Sequence, residues 1–311
     1  DYLAPMINEM ALNMAFEQLG GVEVPARAQH VRTLLAELQR IASHLVAIGT
    51  FGLDVGGALG GGASLFMYCF RDRELILDCF EALTGCRFHY NTHCIGGNRH
   101  DLPAGFEGQV LAALQTIEAR LDDYRAMMTE NPIFVDRTAD VGVIPTALAL
   151  GLGLSGPNAR ASGVDIDLRR DAPYAAYGGL DVRPAVRSAG DCQARFLCRV
   201  DEIRESIRLT RLLLAGVPEG PLCGAKPNKG PTGFKIKRGQ AYTAVEGPRG
   251  ELGHYLIAGG AERGACPYRL KIRPPSLHHV AAIPYILPGN NLSDCIAILG
   301  SLDPVMGEVD R

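Results

Sequence analysis

The chain has 311 residues, 47% hydrophobic and 21% charged, with a net charge of -3 at neutral pH. So much apolar material with so little net charge excludes a disordered chain and is enough for one large domain or two modest ones. The near balance of 31 basic and 34 acidic residues excludes a basic nucleic-acid-binding surface as the main function.

The first two thirds read as helices. Asn8 to Leu19 is amphipathic and stops at Gly20-Gly21. Pro25 then opens a second helix as a first-turn proline. Its apolar positions Val31, Leu34, Leu35, Leu38, Ile41, Leu45 and Ile48 recur at helical spacing, and Gly49 is expected to end it. A glycine-rich loop, Gly56 to Gly62, precedes a third helix from Leu65 to Leu83, with Ser64 as its cap and Gly85 as its stop. A fourth helix is expected from about Pro103 to Met128. Between Pro132 and Pro184 the chain is punctuated by Gly and Pro and reads as irregular. A fifth helix runs from about Asp191 to Ala215.

The character then changes. Tyr242 to Glu246, Glu251 to Ala258 and Tyr268 to Ile272 are short strand-like runs, separated by Gly247-Pro248-Arg249-Gly250 and by Gly259-Gly260. Two short helices follow, near Ser276 to Tyr285 and Asn291 to Leu299. No repeat and no strand-helix alternation is present, which disfavours a doubly wound sheet. The expected fold is mainly α with a small antiparallel β insert, a single unit over 1–311 with a β subregion at 232–274. The longest apolar run, Val141 to Leu154, is shorter than the roughly 18 residues a membrane helix needs.

Nine cysteines are scattered along the chain and none forms a CxxC pair, which argues against a secreted disulfide framework. The sequence opens on Asp1 without Met or a signal-like stretch, and reads as part of something longer. Gly151-Leu-Gly-Leu-Ser-Gly156 matches GxGxxG, but Pro157 follows at once and neither a strand before it nor a helix after it is evident. Gly224 to Gly233 holds two lysines without the Gly-Lys-Ser/Thr order of a phosphate loop. Cys86, His89, His93 and Cys94 offer four zinc-type ligands, against the alternative of local packing. Asp54, just past a long apolar helix, reads as a cap or surface group, or as a buried carboxylate tuning a proton donor. The string Asp303-Pro304-Val305-Met306-Gly307-Glu308-Val309-Asp310-Arg311 mixes apolar and acidic residues where chains usually fray, and suggests a docked terminus.

That C-terminal string, preceded by Ile298-Leu299-Gly300-Ser301-Leu302, resembles the end of the 49 kDa-type quinone-site subunit of respiratory complex I, the NADH:quinone oxidoreductase. Matching blocks run through nearly the whole chain. They include Asp1-Tyr2, Val24-Pro25-Ala26-Arg27-Ala28-Gln29, Phe70-Arg-Asp-Arg-Glu74, Asp101-Leu102-Pro103, Asn131-Pro132-Ile133-Phe134, Arg160-Ala161-Ser162-Gly163, Gly250-Glu251-Leu252-Gly253 and Lys271-Ile272-Arg273-Pro274-Pro275. The resemblance implies a fold similar to the large subunit of nickel-iron hydrogenases, which hold their metal through two CxxC pairs. Here those positions fall near Ala4 and Ile7 and at Val305 and Glu308, none of them a thiol. It therefore implies no metal in this chain and a quinone pocket in place of the metal cavity.

Three site residues follow from the resemblance. Tyr2 matches the tyrosine that hydrogen-bonds the quinone headgroup. Asp54 matches the carboxylate partnering the other headgroup ligand, a histidine in an N-terminal hairpin that would lie upstream of Tyr2. His89 matches the histidine beside the terminal iron-sulfur cluster. Val305 and Met306 are expected in the pocket wall. The implied partners are the subunit carrying that [4Fe-4S] cluster, other peripheral-arm subunits and the membrane-arm subunit that forms the quinone channel. The implied place is peripheral, on the cytoplasmic face of a bacterial plasma membrane or the equivalent organelle membrane. Two departures stand out: Ala58-Leu-Gly-Gly-Gly-Ala63 replaces a Thr-Pro-containing segment, and Cys94-Ile95-Gly96-Gly97 stands where the family has Arg-Pro-Gly-Gly or Arg-Ile-Gly-Gly. A hydrogenase-like metal enzyme and a zinc protein built on 86–94 are the alternatives.

Overall fold

A computed structural model describes residues 1–57, 60–224, 238–259 and 267–310. Helix α1 (Pro5–Gly20) ends where Gly21 adopts a left-handed φ of 62°, as the Gly-Gly pair implied. Helix α2 (Ala26–Gly56) starts just after Pro25 and is buried along most of its length. It passes through Gly49 and Gly52, against expectation, because those glycines admit helix α3 (Gly62–Thr84) at close range. A Cβ on Gly52 would lie 2.7 Å from Leu65 Cδ2, and one on Gly49 3.1 Å from Cys69 Cβ. Here glycine serves packing, and its helix-weakening tendency of about 1 kcal/mol is overridden. For the same reason α3 begins at Gly62 rather than after Ser64: a Cβ on Gly62 would strike the Gly52 carbonyl at 1.9 Å.

A two-residue hairpin, β1 (His93–Cys94) and β2 (Gly97–Asn98), follows α3 and was not expected from the pattern. Helix α4 (Phe106–Thr129) matches the reading to within three residues. The segment read as irregular holds four short helices, α5 (Pro132–Thr138), α6 (Thr146–Gly151), α7 (Gly156–Arg160) and α8 (Leu168–Asp171). Helix α9 (Cys192–Ala215) starts after Asp191, whose Oδ1 accepts from the Ala194 N–H at 2.7 Å.

The strands β3 (Gly239–Gly247), β4 (Gly250–Ala258) and β5 (Arg269–Arg273) form the antiparallel sheet in sequence order. Its buried face, with Val245 and Leu252, covers α1. Four helices close the chain: α10 (Pro275–Val280), α11 (Ile283–Ile286), α12 (Asp294–Leu302) and α13 (Met306–Asp310). The main core lies between α2, α3, α4, α9 and α12. The architecture is thus mainly α with two small antiparallel sheets.

Short helices α7 and α8 bury few apolar side chains. A buried ionic network holds them instead. Arg160 pairs with Glu202 at 2.6 Å and Glu246 at 2.8 Å, while Arg169 pairs with Asp167 at 2.7 Å and Glu37 at 3.2 Å. His44 Nε2 meets Glu202 at 2.8 Å. Burial alone would neutralise such carboxylates, but the guanidiniums keep Glu37, Asp167 and Glu202 below their usual range. The GxGxxG match lies between α6 and α7, with a helix and not a strand leading into it. Gly156 is needed because a Cβ there would meet Gly250 Cα at 2.5 Å. Most of the lysine-bearing stretch 224–233 lies outside the described residues, as do Ala58, Leu59 and Arg311.

Candidate active site

Helix α12 ends at Asp303, which takes a left-handed φ of 53° and turns the chain back toward the core. Val305 beyond it is buried, and its N–H donates to Ser276 Oγ at 3.3 Å. Glu308 is buried too, accepting from the Ser276 N–H at 3.3 Å and from its hydroxyl. The terminus is therefore docked through residue 308, while Met306 points outward with 62% exposure.

Arg249 joins this segment to the start of the chain. It sits at the tip of the β3–β4 hairpin, where an arginine would normally be solvated, yet it is 1% exposed. Its Nη1 donates to Asp1 Oδ2 at 2.7 Å and to Ser43 Oγ of α2 at 3.1 Å. Its Nη2 donates to Asp303 Oδ1 at 3.0 Å, and its Nε to the Asp303 carbonyl at 2.9 Å. One guanidinium thus fixes Asp1-Tyr2 and Asp303-Pro304-Val305 to the same helix. Sequence reasoning missed this residue, because glycine and proline on either side mark only a turn. The available signal was that Arg249 directly precedes the matched block Gly250 to Gly253.

Tyr2 rides on that frame. Its ring lies 6.5 Å from Phe88, and Phe88 lies 4.3 Å from the His89 ring. On its other side is α13, where a Cβ on Gly307 would be 3.8 Å from Tyr2 Cδ1. Residues 2, 88–89 and 305–307 therefore share one rim. Tyr2 is 50% exposed, and neither its hydroxyl nor His89 has a hydrogen-bond partner among the described residues. His89 and Asn91 both hold positive φ, 41° and 45°. Such backbone is costly for residues with a Cβ and is kept where surroundings enforce it. Glu9 does so here, accepting from the N–H groups of Thr92 and His93 at 3.0 Å each.

Asp54 lies elsewhere, on the last turn of α2 facing α12. Its Oδ2 would be 3.1 Å from a Cβ on Gly300, so that glycine leaves room for the carboxylate. Among the described residues it has no hydrogen bond or ion pair, and partial burial raises its pKa. No contact joins it to Tyr2 or His89. The structure groups Tyr2, His89, Val305 and Met306 on one rim, and Asp54 packs instead beside Gly300 of α12.

Residues 60–232 and 228–311 match the family described as respiratory-chain NADH dehydrogenase, 49 Kd subunit. The whole chain aligns with an NADH-quinone oxidoreductase D-type subunit of Sinorhizobium medicae (strain WSM419), 41% identical across 80% of that protein. It also aligns in full with the NADH-quinone oxidoreductase D-type subunits of Clostridium beijerinckii, 42% identical over 81% of its length, and of Methylacidiphilum infernorum, 41% identical over 78%. The chain belongs to the 49 kDa subunit family of respiratory-chain NADH dehydrogenase.

At the four positions where the hydrogenase resemblance would place metal ligands, this 49 kDa-family chain carries no soft-metal donor. Ala4, Ile7, Val305 and Glu308 are all buried, and none offers a thiolate. Nor do Cys86, His89, His93 and Cys94 converge. Cys86 is exposed, while His93 is buried with Nδ1 bonded to Asn98 Oδ1 at 2.7 Å. Asn98 in turn donates to the Ala28 carbonyl at 3.1 Å, so its oxygen faces the ring and receives the Nδ1 proton. Burial and nearby Arg32 push the His93 pKa down to about 3. Among the described residues no group of three or more His, Cys, Asp or Glu is placed to hold a metal ion, which argues against the zinc alternative. No described helix is long and apolar enough to cross a membrane.

Proposed function

We propose that this chain forms the quinone-reducing wall of a complex I-type NADH:quinone oxidoreductase, on a hydrogenase-like scaffold. The supporting observation is the shared rim of Tyr2, Phe88, His89 and the 305–307 segment. Three stretches far apart in sequence meet there, and two proton-carrying side chains face outward with no hydrogen-bond partner within the described chain. Quinone is the substrate, and the electrons come from a [4Fe-4S] cluster in the neighbouring iron-sulfur subunit.

The chain's own residues supply position and protons. The Tyr2 phenol donates a hydrogen bond to a quinone carbonyl oxygen and can hand it a proton as electrons arrive. Val305 and Met306 give the apolar flank against which a ring packs. Asp54 acts from the α2 end, its raised pKa favouring exchange of a proton with a headgroup partner outside these residues. His89 sits at the cluster side of the rim, where an imidazole couples protonation to cluster charge. Proton translocation follows from linking these protonations to the membrane-arm subunits. The chain lies peripherally on the cytoplasmic face of the membrane, or its organelle equivalent.

Tyr2→Phe keeps the ring contacts and removes the proton. It should lower NADH:quinone activity at least tenfold while NADH oxidation by an artificial acceptor upstream of the site stays constant. Undiminished quinone activity in that enzyme overturns the assignment. For His89, the readout is the pH dependence of the cluster midpoint potential, which His89→Met should flatten.

A further inference from the structure

The described residues also enclose a cleft of about 950 Å³, whose walls include Glu9, Asn13, His93, Cys94, Arg99 and Cys223. Three backbone segments run side by side in that wall. Cys94 faces Gly97 across the β1–β2 hairpin, and Gly97 faces Cys223 across a further antiparallel bridge. The Asn98 N–H donates to the Leu222 carbonyl at 3.1 Å and the Gly224 N–H to the Gly96 carbonyl at 3.0 Å, which fixes this register.

Directly opposed residues in a ladder point to the same face. Cys94 and Cys223 therefore occupy one row with Gly97 between them, where only glycine fits because a Cβ would strike the Leu222 carbonyl oxygen at 2.1 Å. The two thiols lean together over it and hydrogen-bond. Two strand spacings of about 4.8 Å put the two Cα atoms roughly 9–10 Å apart. A disulfide cannot span more than about 7 Å between Cα atoms without moving backbone. The sulfurs are close, but their anchors are too far apart for a direct S–S bond. One atom between the sulfurs suits that spacing.

We propose that Cys94 and Cys223 form a two-thiol site for a single soft, thiophilic atom of the class of Cu(I) or trivalent arsenic. Thiolates select such atoms, and two sulfurs from separate segments supply the chelate. Burial and the neighbouring Cys223 raise the Cys94 pKa, and nearby Arg32 and Arg99 offset this only in part, so binding is accompanied by proton release. With a monosubstituted arsenic(III) oxide the balance is simple. Two S–H bonds break, two As–S bonds form, and the oxide oxygen leaves as water with no change in oxidation state. Among the other described cysteines, Cys69, Cys79, Cys192 and Cys198 are buried, Cys86 is exposed and Cys295 is partly buried on α12. Occupancy would pin the β1–β2 hairpin to residues 222–224. This proposal does not depend on the quinone assignment.

The test uses the whole purified assembly. It is treated with phenylarsine oxide, and this chain is then digested and its peptides weighed. One arsenic per chain should link the peptides carrying Cys94 and Cys223. It should be released by 2,3-dimercaptopropanol and retained against an equal concentration of monothiol. Cys94→Ser and Cys223→Ser should each cut bound arsenic at least tenfold, with quinone activity unchanged. Preloading with Cu(I) should slow alkylation of both cysteines together by a similar factor. An adduct on other cysteines, or equal arsenic in the Cys94→Ser protein, overturns the site. So does a Cys94–Cys223 disulfide formed readily by diamide, because it would show that the anchors are close enough for direct bonding.

Discussion

Around α2 the arginines Arg40, Arg160 and Arg169 meet Glu37, Asp167, Glu202 and Glu246 with at most 2% side-chain exposure. At the rim, Tyr2 and Met306 are 50% and 62% exposed, and the Tyr2 hydroxyl and the His89 ring have no hydrogen-bond partner among the described residues. The two regions come within one residue of each other: Arg249 bonds Ser43 on α2, and His44 beside it belongs to the ionic network. Buried charge is tolerable only when it is paired, and each of these charges has an opposite charge within 3.5 Å. The rim leaves its donors unsatisfied, which costs little in water and makes them available to a substrate. A polar side chain's partners, more than its type, separate frame from site in this chain.

That contrast can be broken at Arg249. Arg249→Met strips Asp1 of this ion pair and leaves Asp303 only Arg199 Nε at 3.9 Å, and should cost about 3 kcal/mol, read as a fall in denaturation midpoint. A loss below about 1 kcal/mol would mean that water replaces the guanidinium and that the frame is looser than its hydrogen bonds imply.

Acid is the second probe. His93 and His279 are buried as neutral rings with pKa values pushed down to about 3 from 6.5, chiefly by burial. His279 Nδ1 accepts from Asn158 at 2.9 Å and its Nε2–H donates to the Ser155 carbonyl at 3.2 Å, so the pattern needs the neutral form. The unfolded chain takes up these protons first. Stability is therefore full above pH 6.5 and falls progressively toward pH 3, by roughly 2 kcal/mol per histidine at pH 5. A denaturation series from pH 7 to pH 5 checks the slope, to which buried His254, pushed down to about 4, adds a similar share; His93→Asn should remove roughly 2 kcal/mol of the loss at pH 5. A flat series over that interval would show that the rings are already protonated in the fold.

The close approach of α2 and α3 predicts a smaller effect. Gly52→Ala should destabilise by about 1–3 kcal/mol despite alanine's better helix propensity, because the added methyl meets Leu65 at 2.7 Å. If thermal denaturation instead shows stabilisation, the two helices can separate and Gly52 is a propensity defect only. The smallest effect is expected at the rim. Tyr2→Phe should change stability by less than about 0.5 kcal/mol, since only an unpartnered hydroxyl is removed. A larger loss would place Tyr2 in the frame and dissolve the distinction.

Legibility followed the same division. Helices α1, α4 and α9 and strands β3 to β5 were readable because each carries a local signal: helical spacing, an Asp191 cap, a left-handed Gly21, a Gly-Pro-Arg-Gly turn. The docked terminus was readable from apolar Val305 in an otherwise acidic tail. The run of α2 past Gly49 was not, since the same glycine that weakens an isolated helix permits the contact with Cys69. Helices α7 and α8 escaped because ion pairs to residues 37, 202 and 246 hold them in place of an apolar stripe. The candidate residues Tyr2, Asp54 and His89 came from resemblance alone; composition favoured a bland reading of Asp54.

By itself the sequence determined a mainly helical chain with a late antiparallel insert and the thiol-free Ala4, Ile7, Val305 and Glu308 frame. These depend on local periodicity, turn chemistry and residue identity. Only the tertiary structure decided that Arg249 binds Asp1 and Asp303 together, that Tyr2 reaches His89 through Phe88, and that Cys94 meets Cys223 over Gly97. Each of those pairs is separated by tens to hundreds of residues. No local pattern encodes such a meeting; it arises when the core brings distant segments together and burial obliges their polar groups to find partners.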